Sequence, residues 1–142
     1  MSVQKLQYFS VATKDLEGTI KRYEESLGLT QTTEINEQRW GFRACMMGIG
    51  DQNVVELVSP VNDESPLARF MAMREGDAYP GGEGLYLTSF RVDDMDEAVE
   101  QAEAGGLTVT RVPESPNAAW VHPASNGNVM IEFTSGPPPS RA

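Results

Sequence analysis

The stretch Val11-Ala12-Thr13-Lys14-Asp15-Leu16 decides the fold, because a similar stretch, Phe90-Arg91-Val92-Asp93-Asp94-Met95, follows it 79 residues later. In both stretches, a short apolar run leads to an aspartate that can cap the helix after it. The end of each predicted helix repeats as well, since Leu27-Gly28-Leu29-Thr30 aligns with Gly105-Gly106-Leu107-Thr108 at nearly the same offset. Such regular spacing indicates an internal duplication of one structural module.

Each of the two modules is predicted to have the order β-α-β-β-β. Apolar residues at strand or helix spacing, bounded by turn residues, place the modules at about residues 4–59 and 84–135. The first module is predicted to contain strands over 6–12, 31–34, 41–47 and 53–58 and a helix over 16–27. The second is predicted to contain strands over 85–92, 108–112, 119–121 and 129–134 and a helix over 95–104.

A linker rich in proline and glycine, residues 60–83, separates the modules. Its centre predicts a short helix from Ser65 to Met71, with Ser65 as the capping residue and Pro66 in the first turn. Residues 1–135 are expected to form one α+β domain, for which a chain of 142 residues is long enough to bury a core. The proline-rich residues 136–142 are expected to be a disordered tail.

Composition and charge exclude several classes of partner. The chain carries 21 acidic and 11 basic residues, a formal net charge of −10, so nucleic acid and anionic membrane surfaces are not expected to bind. No apolar run is long enough to span a bilayer, and the start lacks a signal region. The single cysteine, Cys45, lies in an apolar stretch and is expected to be a buried structural thiol. These features favour a cytoplasmic protein whose partner is a small molecule.

Short motifs spread over residues 4–135 carry a resemblance to a known family. They are Ala12-Thr13-Lys14-Asp15-Leu16, Glu56-Leu57-Val58-Ser59-Pro60, Asp63-Glu64-Ser65-Pro66-Leu67-Ala68-Arg69-Phe70, Gly82-Glu83-Gly84-Leu85, Phe90-Arg91-Val92-Asp93-Asp94 and Val121-His122-Pro123-Ala124-Ser125-Asn126-Gly127. With the repeated β-α-β-β-β order, they resemble the vicinal oxygen chelate superfamily, which includes glyoxalase I, methylmalonyl-CoA epimerase, extradiol dioxygenases and the bleomycin resistance proteins. The epimerase branch is the most similar. The resemblance implies a curled mixed sheet around a cleft, and a homodimer.

The resemblance also implies four metal-ligand positions, one on the first strand and one on the last strand of each module. The family's first-strand histidines correspond here to Tyr8 and Leu87, and its last-strand ligands correspond to Glu56 and Glu132. A leucine has no lone pair and a neutral phenol is a weak ligand, so a catalytic transition-metal site is hard to assemble from this set. We therefore expect neither a metal nor another cofactor.

Without a metal, Glu56 and Glu132 are expected to face each other in the cleft, where two close carboxylates share a proton and one pKa rises. Tyr8 is expected to donate a hydrogen bond to a developing oxyanion. The leading hypothesis is a metal-independent lyase, isomerase or epimerase that acts on a small carbonyl compound, with these three residues catalytic. Two alternatives stay open: a non-catalytic protein that binds a drug or metabolite, and a metal-dependent epimerase with an atypical Tyr-Glu-Glu site.

Apolar and aromatic residues at alternate strand positions are expected to line the cleft and to bind a flat or lipophilic molecule. The residues expected to bind substrate are Leu87, Trp40, Phe42, Trp120, Met46, Met130 and Glu37. Glu37 is included because the family's epimerases carry a glutamate just before a Gln-Gly step, which two inserted residues interrupt here. His122, the one histidine of the chain, precedes a proline in a predicted turn and is expected to be structural.

Overall fold

The structure is a computed structural model that describes residues 2–38 and 40–136. These residues form nine strands and three α-helices, which confirms the predicted α+β class. The chain divides into two compact units: the first unit is Phe9–Tyr86, and the second combines residues 2–8 with residues 87–136. Residues 137–142 of the predicted tail lie outside the described residues. The single domain expected over residues 1–135 stays a prediction.

The first unit corresponds to the first predicted module and its linker. Its elements are the end of β1 (Val3–Ala12), α1 (Leu16–Leu27), β2 (Thr30–Gln31), β3 (Asn36–Gln38), β4 (Phe42–Ile49), β5 (Gln52–Pro60) and α2 (Pro66–Arg74). The strand order is β2-β4-β5-β1, and β3 also pairs with β4. Because β1 and β5 run parallel while the other pairs are antiparallel, the sheet of this unit is mixed.

Both helices of the first unit begin at the predicted residues, because side chains cap their first turns. The Asp15 carboxylate accepts a hydrogen bond from Gly18 N at 3.0 Å. At the other end of α1, Gly28 has the positive φ of 71° that favours glycine. The Ser65 hydroxyl accepts a hydrogen bond from an amide in the first turn of α2 at 3.2 Å. This helix ends at Arg74, three residues beyond the predicted end.

The two helices cover opposite faces of the first unit's sheet, because side chains alternate along each strand. On one face, α1 contributes to a core cluster of Leu16, Ile20, Cys45, Met47, Val55 and Leu57. On the other face, α2 contributes to a cluster of Ala12, Ala44, Val58, Leu67 and Met71. Met46 and Glu56 are paired with each other and continue the second face beyond that cluster. The face covered by α2 therefore also carries one of the predicted site carboxylates.

The predicted strand over residues 31–34 is wrong in its extent. In the structure β2 ends at Gln31, and a separate strand, β3, forms over Asn36–Gln38. At the break, the amide of Met46 donates a hydrogen bond to the Thr33 hydroxyl at 2.8 Å. A threonine side chain thus takes the place of one rung of the ladder between the strands.

The second unit corresponds to the second module, with the start of β1 added to it. Its other elements are β6 (Gly84–Val92), most of which lies in this unit, α3 (Met95–Ala104), β7 (Val109–Thr110), β8 (Ala118–Val121) and β9 (Ile131–Thr134). The strand order is β6-β9-β8-β7, with β6 and β9 parallel and the other two pairs antiparallel. The predicted strand over residues 108–112 is shorter than expected, since β7 has two residues.

The helix of the second unit matches its prediction in both position and orientation. The Asp94 carboxylate caps α3 by accepting a hydrogen bond from Glu97 N at 3.0 Å. The helix packs on the sheet through one core cluster, which contains Met95, Ala98, Val99, Ala102, Val92, Ala119, Val121 and Phe133. In the described part of the chain, no helix is long and apolar enough to cross a membrane.

The linker after α2 is held to that helix by Arg74. The guanidinium donates hydrogen bonds to the carbonyl oxygens of Gly82, at 2.8 Å, and Leu85, at 2.7 Å. It also lies 4.4 Å from the ring centroid of Tyr79 and 4.6 Å from that of Phe70. Backbone acceptors and two aromatic faces together fix the path of the linker against α2.

Candidate functional site

Glu132, on β9, is held by both oxygens of its carboxylate. Tyr8 Oη donates a hydrogen bond to Oε1 at 2.7 Å, and Trp120 Nε1 donates one to Oε2 at 3.0 Å. The register between β8 and β9 explains the second bond, because it pairs Trp120 directly with Glu132 and puts both side chains on one face. The structure therefore brings together three of the predicted site residues within the second unit.

The surroundings of Glu132 raise the pKa of its carboxyl group above its ordinary value of 4.5. Burial is the largest cause, because a charge is less stable away from water. The Tyr8, Ser89 and Trp120 side chains oppose that shift by stabilising the ionised form. Ser89 is paired with Glu132 in the register of β6 and β9, and its buried hydroxyl makes no hydrogen bond of full geometry in the described part of the chain. The net shift is upward, towards the pH range in which a general acid or base works best.

This raised pKa predicts how the Glu132→Gln substitution changes stability with pH. The folded chain binds the Glu132 proton more tightly than the unfolded chain does, so ionisation of Glu132 costs stability as pH rises from 4.5 through the folded-state pKa. Glutamine has no proton to lose and can still accept a hydrogen bond from the Trp120 indole. We expect the variant to match the wild type at acidic pH and to be more stable by about 1 kcal/mol at neutral pH. Urea unfolding at a series of pH values measures this, and a stability difference that does not change with pH would contradict it.

Glu56, on β5, lies in the first unit beside a serine. Ser10 Oγ donates a hydrogen bond to Glu56 Oε1 at 2.7 Å. The parallel register of β1 and β5 pairs these two residues, and the register of β4 and β5 pairs Glu56 with Met46. Ser10 is fully buried and Met46 nearly so, whereas Glu56 keeps part of its surface exposed. The predicted pairing of Glu56 with Glu132 across a cleft stays a prediction.

A serine beside each glutamate is a feature that the sequence reasoning missed. Ser10 pairs with Glu56 in the first unit, and Ser89 pairs with Glu132 in the second. The two serines lie 79 residues apart, the same offset that relates Asp15 to Asp94. This offset could have identified the two serines from the sequence, because a duplication should repeat the neighbours of a site residue as well as the site residue itself.

The other predicted substrate-binding residues lie in different surroundings. In the second unit, Leu87 is buried on β6, and Met130 is half-buried just before β9. In the first unit, Phe42 and Met46 share one face of β4, while Trp40, with 40% of its surface exposed, lies in the turn before that strand. Of these, Met46 is directly beside a predicted catalytic residue.

Glu37 lies away from the face that carries Glu56. It is exposed on β3, where it pairs with Arg43 of β4. Arg43 alternates with Met46 along the strand, so its side chain and that of Glu37 are on the face covered by α1. There Arg43 forms an ion pair with Glu17 at 3.1 Å. The structure thus separates Glu37 from the Met46 and Glu56 side of the sheet.

Cys45 and His122 both have structural surroundings. Burial, with a smaller contribution from the negative charge of Glu56, raises the pKa of the Cys45 thiol to about 11, so the thiol stays protonated at neutral pH. The His122 side chain is exposed, and its backbone carbonyl accepts hydrogen bonds from Ser125 N at 3.0 Å and Ser125 Oγ at 2.7 Å. These bonds form the turn that follows β8.

The four positions that the family uses for metal ligands do not fit a divalent metal here. Leu87 offers no donor atom, and the Tyr8 phenol donates its hydrogen bond to Glu132, which also accepts a hydrogen bond from Trp120. Glu56 accepts a bond from a buried serine hydroxyl. Across residues 2–38 and 40–136, no group of three or more His, Cys, Asp or Glu side chains is placed to hold a metal ion.

A family model matches most of the chain. The model describes the glyoxalase/bleomycin resistance protein/dioxygenase superfamily and matches residues 7–135. The sequence is also 23% identical over 138 residues to the mitochondrial methylmalonyl-CoA epimerase of Dictyostelium discoideum. That match covers 94% of this chain and 79% of the relative.

Solved structures of epimerases are similar to this chain in fold. The methylmalonyl-CoA epimerase of Mycobacterium tuberculosis has a TM-score of 0.78 at 22% identity, over 96% of this chain and 90% of that one. A variant of the Streptomyces coelicolor methylmalonyl-CoA epimerase, in complex with 2-nitronate-propionyl-CoA, has a TM-score of 0.78 at 20% identity, over 95% of this chain and 96% of that one. At such identities the likeness establishes the fold.

Proposed function

The chain belongs to the glyoxalase/bleomycin resistance protein/dioxygenase superfamily, and we propose that it is an isomerase or epimerase that moves a proton beside the carbonyl group of a small organic molecule. The observation that supports this proposal most directly is the burial and hydrogen bonding of the Glu132 carboxyl group. Its pKa is raised by burial, and both of its oxygens are held in place by hydrogen-bond donors. A carboxyl group that is fixed in position and titrates closer to neutral pH is suited to general acid–base catalysis.

The proposed reaction begins when one carboxylate takes the proton from the carbon beside the carbonyl group. The electron pair of the broken C–H bond forms the C=C bond of an enolate, and the negative charge moves to the carbonyl oxygen. A second carboxyl group then returns a proton to the same carbon from the other side, which inverts its configuration. Glu132 and Glu56 are the two groups that we assign to these steps, and loss of a leaving group from the same enolate would make the enzyme a lyase.

The proposed mechanism needs no metal. Because the Tyr8 hydroxyl can donate one hydrogen bond and donates it to Glu132, we assign this residue first to holding the carboxylate. When Glu132 becomes protonated, the Tyr8 O–H can donate its hydrogen bond to the enolate oxygen and keep its proton, since a neutral carboxyl group is a weaker acceptor than a carboxylate. In that way one hydrogen bond serves the ground state and another serves the intermediate.

The substrate class is narrowed by the relatives and by charge. Proteins named methylmalonyl-CoA epimerase support an α-substituted acyl thioester, and one of them was solved with 2-nitronate-propionyl-CoA. The net charge of −10 argues against strong binding of the phosphate groups of coenzyme A. We therefore propose a small acyl compound with a proton beside its carbonyl group, and a thioester is one member of that class.

Isotope exchange tests this proposal. The wild-type chain is incubated in deuterium oxide with a panel of chiral carbonyl compounds, including free 2-substituted acids and their coenzyme A thioesters. We expect deuterium to appear beside the carbonyl group of at least one compound, together with loss of optical activity. Mass spectrometry and polarimetry measure the two, and the absence of exchange across the panel would contradict the proposal.

A non-catalytic binding protein is the second candidate, and the acidic charge favours it. A chain with 21 acidic and 11 basic residues would attract a cationic drug, as a protein of the bleomycin resistance type would need to do. Binding of a cationic compound without any exchange reaction would support this candidate. For either function we propose a homodimer, which gel filtration would show at twice the chain mass of 15.5 kDa.

A further inference from the structure

We propose that Tyr8 and Trp120 are positioning residues that hold Glu132 by one oxygen each, so that this carboxyl group is fixed as a proton acceptor at a position where the resemblance to the family implies a metal ligand. This inference rests on the proposed function, because it concerns the same carboxyl group. It adds a role for an indole N–H that the sequence suggested only as part of an apolar wall.

The geometry assigns one donor to each oxygen of Glu132. Tyr8 Oη lies 2.7 Å from Oε1, and Trp120 Nε1 lies 3.0 Å from Oε2. Both distances are those of well-formed hydrogen bonds. An indole N–H can only donate, so the bond from Trp120 is lost if the carboxylate turns its oxygens elsewhere. The pair of bonds therefore fixes the plane of the carboxylate as well as its position.

The other ligand positions of this unit make a metal site hard to build around this carboxylate, since the Tyr8 phenol is a weak ligand while it is neutral. Leu87, which occupies one of the other ligand positions in this unit, is 6% exposed and offers only carbon atoms. A proton needs just one lone pair, and each carboxylate oxygen has two acceptor sites. Glu132 can thus keep both donors and still exchange a proton with a substrate.

The donors also control when Glu132 holds its proton. Burial raises its pKa, and the bonds from Tyr8 and Trp120 lower it again because they stabilise the ionised form. Removal of either donor should therefore raise the pKa of Glu132, because burial raises this pKa and fewer hydrogen bonds would lower it. The carboxyl group would then keep its proton to higher pH.

Substitution of Trp120 by phenylalanine tests the inference without any substrate. Phenylalanine keeps an aromatic ring and removes the N–H. The carboxyl signal of Glu132, assigned by its absence in Glu132→Gln, is followed by carbon-13 NMR as pH is raised. We expect the midpoint of this titration to move to higher pH in Trp120→Phe, and in the independent variant Tyr8→Phe. Trp40→Phe is the matched control, because Trp40 lies in the first unit. In this variant the titration midpoint of Glu132 should equal that of the wild type.

A titration of the metal-free wild-type chain with cobalt(II) chloride tests the second half of the inference. We expect no stoichiometric binding at cobalt concentrations up to about 1 mM. Such an affinity would be weaker than that of a catalytic metal site. One cobalt ion per chain at micromolar concentration, lost in Glu132→Gln, would overturn the inference. An unchanged midpoint in both Trp120→Phe and Tyr8→Phe would overturn it as well.

These measurements separate the inference from the proposed function. If the midpoints move as expected but no compound in the panel exchanges deuterium, the positioning role stands and the isomerase proposal fails. If exchange occurs and depends on Glu132 while the midpoints stay fixed, the isomerase proposal stands and the positioning role fails.

Discussion

Substitution of Glu132 by glutamine is expected to slow deuterium exchange beside the carbonyl group by about 10²- to 10⁴-fold, the usual contribution of a general acid or base. Glutamine has nearly the same shape as glutamate and can accept the Trp120 hydrogen bond, so the fold should persist. It cannot take a proton from carbon at neutral pH. The rate is measured by mass spectrometry of the product, and circular dichroism checks the fold.

Glu103→Gln is the matched control for that loss of activity. It makes the same chemical change on the exposed surface of α3, in the same unit of the chain. Its exchange rate should stay within about twofold of the wild type, since surface substitutions have small effects. If Glu132→Gln kept the wild-type rate, Glu132 would not be the proton carrier. If Glu103→Gln also lost the activity, the loss would come from the removal of a negative charge from this unit and not from the role of Glu132.

Substitution of Gly82 by alanine is expected to lower the free energy of unfolding by about 3 kcal/mol or more, the largest effect on stability that we predict for one added methyl group. Gly82 is buried in the linker with a φ of 75°. An added Cβ would overlap the Met71 carbonyl oxygen and lie 2.7 Å from the Met71 Cα, both of which belong to the backbone of α2. Neither group can move aside as a flexible side chain would, so either the linker or α2 must shift.

Gly28→Ala separates this steric clash from the cost of a positive φ. Gly28 has a φ of 71°, almost the same as Gly82, but an added Cβ there would meet nothing within 4 Å. Its substitution should cost about 1 kcal/mol, the strain of the left-handed conformation alone. Urea unfolding of both variants gives the difference. Equal losses would show that the linker does not pack on α2 as closely as the structure indicates.

The duplication made much of the fold predictable. Asp15 and Asp94 each cap a helix where the repeat predicts one, and the four predicted core residues of α3 pack as expected. Local signals of this kind depend on residues close together in the chain, so they can be recognised in a single sequence. The division of the first strand between the two units was harder to predict. Residues 2–8 belong with the second module, and that depends on contacts between distant parts of the chain.

The candidate site was predictable in its residues but less so in their roles. Tyr8 and Glu132 were singled out by their positions on the first and last strands, and the structure joins them with a hydrogen bond. Trp120 was expected to be an apolar wall, because nothing in its local sequence reveals that its N–H faces a carboxylate. That fact depends on the register of β8 and β9. Ser10 and Ser89 were missed for the same reason, since small polar residues give no pattern of their own.

The central claim is that carboxyl groups of this chain, without a metal, move a proton beside a carbonyl group. The most direct test is deuterium exchange by the wild-type chain after dialysis against a strong chelator, with the metal content checked by elemental analysis. The account predicts that a compound exchanged by the untreated protein is exchanged at the same rate by the metal-free protein. A rate that falls to background after dialysis and returns when one equivalent of cobalt or zinc is added would contradict it.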